Sequence, residues 1–107
     1  GARVQLNETA IGMTLPYFAV ELARARLAKT HLGPAVELAR VYDATGAVEA
    51  GYLDDVVSEE DLLPQAIAMA QQFSALNMEA HRQTKARVRE GLMSALVAAI
   101  DKELGTP

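Results

Sequence analysis

The apolar positions along the chain change their period several times, and each change marks an expected element. Arg3-Val4-Gln5-Leu6 alternates polar and apolar residues, the two-residue period of a half-buried strand. A lone strand leaves its backbone edges unpaired, so this one calls for the later strand-like segment or another chain beside it. After Gly12, Thr14 is placed to cap a helix with Pro16 in its first turn, where a missing N–H costs nothing. Leu15, Phe18, Leu22 and Ala25 fall on one face of that helix, Ala19, Ala23 and Leu27 widen the stripe, and Glu21 and Arg24 make a surface pair. Gly33-Pro34 is expected to stop it and to open a second helix with Ala35, Leu38, Ala39 and Tyr42 on a common face.

Residues 44–51 read as a turn or two of helix closed by Gly51 in a left-handed cap, and Tyr52 to Val57 as a short strand. Ser58 and Asp61 resemble a capping box, but Pro64 places the start of the regular helix at Asp61. Its stripe runs through Leu62, Leu63, Ala66, Ile67, Met69, Ala70 and Phe73 to about Leu76. Asn77 then caps a last long helix in which Val88, Leu92, Leu96, Ile100 and Leu104 repeat every four residues. Gly91 is a weak point or a close-packing site in it, and Gly105 and Pro107 end it. No repeat, low-complexity run or linker divides the chain.

Composition narrows the functional classes. At 107 residues, half of them apolar and 22% charged, the chain is one ordinary folded domain at most. With only 5% aromatic residues it has few bulky anchors for a self-sufficient core, so support from other protein surface is expected. The absence of cysteine excludes disulfides, a thiolate nucleophile and thiolate metal sites. A net charge of −4 argues against a nucleic-acid partner. No apolar run is long enough for a membrane partner, no signal peptide is read, and a cytoplasmic location is the default.

Few residues invite chemistry. His31 and His81 have no further ligand at metal-binding spacing, so no metal is expected, and neither a nucleophile elbow nor a glycine-rich phosphate loop is present. Glu8 is the exception. It follows the strand and precedes the apolar stretch Ala10-Ile11-Gly12-Met13. A carboxylate facing apolar side chains is partly desolvated, a condition that suits proton transfer, whereas a solvated strand-end glutamate is the commoner arrangement; the pattern leaves both readings open. Arg82, Lys85 and Arg89 share a helix face, either the wet side of that helix or a contact for an anionic ligand.

Three separated segments, in order, carry a resemblance. Val4-Gln5-Leu6-Asn7-Glu8-Thr9-Ala10-Ile11-Gly12-Met13-Thr14-Leu15-Pro16 is similar to the strand-Glu motif of the crotonase family, the enoyl-CoA hydratases and isomerases. Ala44 to Val57 resembles the family pattern A-x-E-A-x-x-x-G-L-V-D-x-V-V, and Thr84-Lys85 its recurrent Thr-Lys. The resemblance implies an α/β fold, mostly helical here: the C-terminal part of a ββα spiral over residues 1–57, followed by a helical region over 58–107 that covers the active site and builds trimers, often paired into hexamers. It implies that Glu8 is a catalytic acid/base in an enolate mechanism on an acyl-CoA thioester, with no cofactor beyond that substrate. Leu15, Tyr17 and Phe18 would line the acyl pocket, and Lys85 would meet CoA phosphate.

The same resemblance implies that the two oxyanion N–H groups and the second glutamate of hydratases lie upstream of this strand, so the chain alone is expected to be inactive, with the N-terminal half or neighbouring subunits as partners. Pro16-Tyr17-Phe18-Ala19 stands where hydratases tend to carry a Gly-Gly-Thr-Gln-like turn, closer to the isomerases. The rival readings are a non-catalytic helical oligomerisation module of the same origin and a lone helical domain without an acyl-CoA role.

Overall fold

The computed structural model describes residues 1–105, so the expected stop at Pro107 lies outside the described residues. Their order is β1 (Arg3–Val4), a 3-10 turn (Thr9–Ile11), α1 (Tyr17–Arg26), α2 (Lys29–Leu32), a π-helical turn (Gly33–Glu37), β2 (Tyr42–Asp43), α3 (Ala44–Ala50), α4 (Glu59–Phe73), α5 (Met78–Val88) and α6 (Glu90–Leu104). The chain is mostly helical, and no helix among the described residues is long and apolar enough to cross a membrane. It divides into two compact units, residues 1–56 with those from Leu92 on, and residues 57–91.

In the first unit β1 pairs antiparallel with β2, Arg3 opposite Asp43 and Val4 opposite Tyr42. The partner expected for β1, a strand at Tyr52–Val57, is irregular backbone with bends instead. Its aspartates have other employment: Asp54 takes an ion pair from Arg26 at 2.7 Å and Asp55 accepts from the Val56 N–H at 2.8 Å. A short carboxylate that bonds its own neighbouring backbone, as that of Asp55 does, competes with a ladder.

The core beneath this ribbon is built of Ala23, Leu27, Ala35, Tyr42, Ala47 and Ala50, with Val4, Leu6, Leu32, Val36 and Tyr52 packed against it. Gly51 joins its layers. Its φ of +104° closes α3 as expected, and a Cβ there would stand 2.8 Å from the Arg26 carbonyl oxygen and 3.1 Å from the Ala28 nitrogen. That closeness lets the Ala28 N–H donate to the Ala50 carbonyl at 2.8 Å. The same contact ends α1 seven residues before Gly33, because Leu27 turns extended into the core (φ −79°, ψ 149°).

The helix expected after Pro34 therefore differs. α2 begins at Lys29, Pro34 sits in a widened turn, Ala39 takes a φ of +51°, and Tyr42 has passed into β2. Proline cannot donate the bond that a regular turn would need at this point. The start of α1 also differs from expectation: Pro16, not Thr14, is its N-cap, and the Tyr17 N–H is satisfied from α6 by Glu103 Oε1 at 2.7 Å.

In the second unit Ser58 caps α4 by accepting from the Asp61 N–H at 3.3 Å, so the helix starts at Glu59 rather than Asp61 and carries Pro64 in its interior, one backbone bond short. Asn77 caps α5 as expected, accepting from the Ala80 N–H at 2.8 Å. The single last helix is two, parted at Arg89 (φ −97°, ψ 5°) two residues before Gly91. Its four-residue repeat does not make one buried stripe. Each step of four overshoots a turn by about 40°, so five such positions drift through about 160°. Leu92 and Leu96 are half-buried, Val88 and Leu104 are exposed, and the buried residue of α6 is Ala99.

Candidate active site

Glu8 stands where the strand ribbon gives way to the 3-10 turn. Its backbone is helical (φ −52°, ψ −53°), and its carbonyl accepts from the N–H groups of Ile11 at 3.1 Å and Met13 at 2.8 Å. Gly12, at a φ of +81°, closes this loop in a conformation that an L side chain resists. The turn thus fixes the Cα of Glu8 while leaving its side chain free of capping duty.

The side chain is half-buried, and its Oε1 is shielded from solvent with no hydrogen-bond partner among the described residues. A buried carboxylate oxygen without a donor is costly, and such atoms concentrate where a reaction supplies the donor. Tyr52 Oη is in the same condition. Burial pushes its phenol above the ordinary 10.0, with further contributions from Tyr42 and from the negative charge of Glu8.

Tyr52 had been expected only as the first residue of a strand. A phenol directly after a left-handed glycine, in the position where the family pattern has Leu, was the available signal. Its ring packs on that of Tyr42 with centroids 5.7 Å apart, and the Tyr42 hydroxyl is engaged by His31 Nδ1 at 3.0 Å.

The other expected site residues are spread out. Leu15 is half-buried ahead of α1, and Tyr17 and Phe18 open that helix with partly exposed rings. The Tyr17 ring carries Lys102 Nζ 4.1 Å from its centroid, so its face is shared with α6. Lys85 belongs to the second unit, where it lines a surface groove of about 430 Å³ with Leu76, Ala80, His81, Thr84 and Arg89. Arg82, expected on the same face, is tied instead to Glu79 and lowers the pKa of that carboxyl. Among the described residues no group of three His, Cys, Asp or Glu side chains is arranged to hold a metal ion.

This chain belongs to the enoyl-CoA hydratase/isomerase family, whose model matches residues 1–106, and it covers the C-terminal part of that crotonase domain. Among curated proteins it is 27% identical over 101 residues to the human mitochondrial enoyl-CoA delta isomerase 1, which accounts for 94% of this chain and 33% of that protein. Among solved structures it superposes with a TM-score of 0.93 and 45% identity on an enoyl-CoA hydratase/isomerase family protein of Pseudomonas syringae, over 95% of this chain and 44% of that one. An enoyl-CoA isomerase of Mycobacterium tuberculosis gives a TM-score of 0.92 at 34% identity, over 100% of this chain and 47% of the other. The chain thus spans a third of the length of the curated relative and under half that of the structures.

Proposed function

We propose that this chain forms the proton-transfer side of an enoyl-CoA hydratase/isomerase active site, with Glu8 as general acid/base toward an acyl-CoA thioester. The single observation that carries the reading is the shielded, donorless Oε1 of Glu8 on a turn pinned by Gly12. An ionised carboxylate so placed accepts the proton next to the thioester carbonyl. The resulting enolate is stabilised by two backbone N–H groups, which lie in the part of the family domain upstream of this strand. Returning the same proton two carbons along shifts the double bond, a task one carboxylate performs alone; hydration calls for a second acid. Leu15, Tyr17 and Phe18 form the apolar wall for the acyl chain, and Lys85 meets the anionic CoA. No cofactor takes part beyond the thioester substrate. The chain works with the upstream part of the domain in a trimer or hexamer and is inactive alone.

The test pairs this chain with a polypeptide that supplies the oxyanion N–H groups and follows turnover of an enoyl-CoA. Glu8→Gln, which keeps the shape and removes the base, is expected to lower kcat by about 10²- to 10⁴-fold with KM little changed. Retention of most of the activity sinks the assignment.

A second reading, a non-catalytic assembly module, draws on one specific observation: no residue of α4 or α5 is buried, although Leu62, Leu63, Ile67, Phe73 and Leu76 lie on or between these helices. A reconstituted complex of the expected mass that turns over no enoyl-CoA favours it over the enzyme.

A further inference from the structure

The first residue of α1 is held at two points by the last turn of α6. The Tyr17 N–H donates to Glu103 Oε1 at 2.7 Å, and Lys102 Nζ stands 4.1 Å from the centre of the Tyr17 ring. α1 has no cap of its own: Pro16 offers no side-chain acceptor, and the first turn carries no acidic residue. The Val20 N–H is the first to bond back along the helix, onto the Pro16 carbonyl at 3.0 Å, so that of Tyr17 needs a partner from elsewhere. A carboxylate brought to this end satisfies the amide and meets the positive end of the helix dipole.

α6 reaches α1 by its register. Leu92 and Leu96 are half-buried, Ala99 is buried, and Glu103 lies four residues beyond Ala99 on the same face. Lys102 sits in the last turn, where the negative end of the α6 dipole favours a cation. The two contacts fix different things. The amide bond fixes the backbone where α1 begins, and the ammonium fixes the ring, which cannot turn without leaving the cation. The Tyr17 ring is 47% exposed, so packing alone does not settle its rotamer.

We propose that Lys102 and Glu103 form a latch on Tyr17 that sets the acyl-chain selectivity of the site. The inference rests on the reading of Tyr17 as part of the apolar wall for the acyl chain. Glu8 serves the carbons next to the thioester, and the latched ring at the head of a separate element serves the carbons beyond them. Each methylene that meets a fixed apolar surface adds to binding, so a loosened wall weakens long thioesters and leaves short ones as they were. Lys102 and Glu103 act through Tyr17 and are positioning residues.

Two measurements separate the latch from the reading beneath it. The first uses the 107-residue chain and no substrate. Nuclear Overhauser contacts are expected between the Lys102 side chain and the Tyr17 ring. Glu103→Ala is expected to quicken exchange of the Tyr17 amide about tenfold, while the Ala28 amide, bonded to Ala50, keeps its rate. Glu103→Gln, whose amide oxygen still accepts, should restore the protection. The second uses the reconstituted enzyme with a hexenoyl and a decenoyl thioester of CoA. Lys102→Met and Glu103→Ala are each expected to raise KM for the decenoyl ester about fivefold, with KM for the hexenoyl ester and kcat for both unchanged. Lys102→Arg, which keeps the cation, should behave as the parent. Absent ring contacts together with a Tyr17 amide indifferent to Glu103→Ala overturn the latch. A KM that moves equally for both esters, or for neither, overturns the selectivity role. Tyr17→Ala with an unchanged KM for the decenoyl ester overturns instead the placement of Tyr17 in the acyl wall, an outcome on which the spectra of the chain do not depend.

Discussion

The two units of the chain differ in what they bury: the first withdraws a few small side chains from solvent while leaving Ile11, Leu22 and Leu38 exposed, and the second buries no side chain. In the first, the side chains fully withdrawn from solvent are the smallest: Ala35, Ala47 and Ala50 are wholly buried, and backbone meets backbone at Gly51. In the second, Leu62, Leu63, Ile67, Met69 and Phe73 are large, sit on a well-formed helix, and stay about half exposed or more. Hydrophobic stabilisation scales with area removed from water, so bulky residues left exposed contribute little to stability here, whereas small ones contribute through close approach. Stability in the first unit therefore hangs on backbone geometry, and that of the second on helix propensity and caps.

The sharpest way to break this contrast is Gly51→Ala. The new methyl would meet the Arg26 carbonyl oxygen at 2.8 Å on a residue held at a φ of +104°. Strain and contact together are expected to cost about 2 to 4 kcal/mol, read as a fall in the urea midpoint followed by the near-ultraviolet signal of the tyrosines. A midpoint within experimental scatter of the parent chain would mean that the α1–α3 junction yields and that the first unit is not held by it.

Next in size is Asn77→Ala. The lost cap bond to the Ala80 N–H, 2.8 Å in the parent chain, is expected to destabilise α5 by about 1 kcal/mol. Amide exchange should quicken over residues 78–84 while the amides of Tyr52 and Ala28 keep their protection. Equal loss in both units would show one cooperative transition and erase the distinction.

That cap was legible because its signal is local: an Asn, then a helix, with the bond made three residues on. So were the left-handed glycine at position 51, the short helix before it and the motif around Glu8. What escaped was decided at a distance. The N-terminus of α1 is completed by Glu103, 86 residues away, so no inspection of Thr14 to Pro16 would reveal it. Leu27 ends α1 because α3 offers the Ala50 carbonyl, a contact with no counterpart in the local pattern. Tyr42 was read as a helical position because its spacing from Ala35 and Leu38 suits a helix, but the left-handed Ala39 between them resets the direction of the chain and sends it into β2. At the site, the sequence pattern singles out Glu8, while the burial of the Tyr52 hydroxyl depends on how the turn after α3 packs.

A smaller effect discriminates the units by pH. The Tyr52 phenol is raised above 10.0 in the folded chain, chiefly by burial, and residues 57–91 contain no tyrosine. Raised folded-state affinity for the proton means that the contribution is complete below the unfolded value near 10.0 and is lost as pH climbs through the folded value above it. The stability difference between the parent chain and Tyr52→Phe should accordingly be flat up to about pH 9.5 and shrink or change sign above it. A difference that already varies between pH 6 and 8 would assign the effect to another group.

The smallest expected effect is the most telling about the second unit. Ile67 lies on α4 with 49% of its surface exposed, and Phe73 on the same helix with 53%. If those side chains touch only solvent in the isolated chain, Ile67→Ser removes no packing and leaves no cavity, so its cost should stay within about 0.5 kcal/mol, mostly helix propensity. The same change should lower self-association in a sedimentation series, because an exposed apolar stripe drives contact between copies. Both results together fit a helix whose apolar side chains are not satisfied within this chain. A loss of about 2 kcal/mol or more, the size of a core truncation, would mean that α4 is packed in solution, and the two units would then differ in sequence more than in physics.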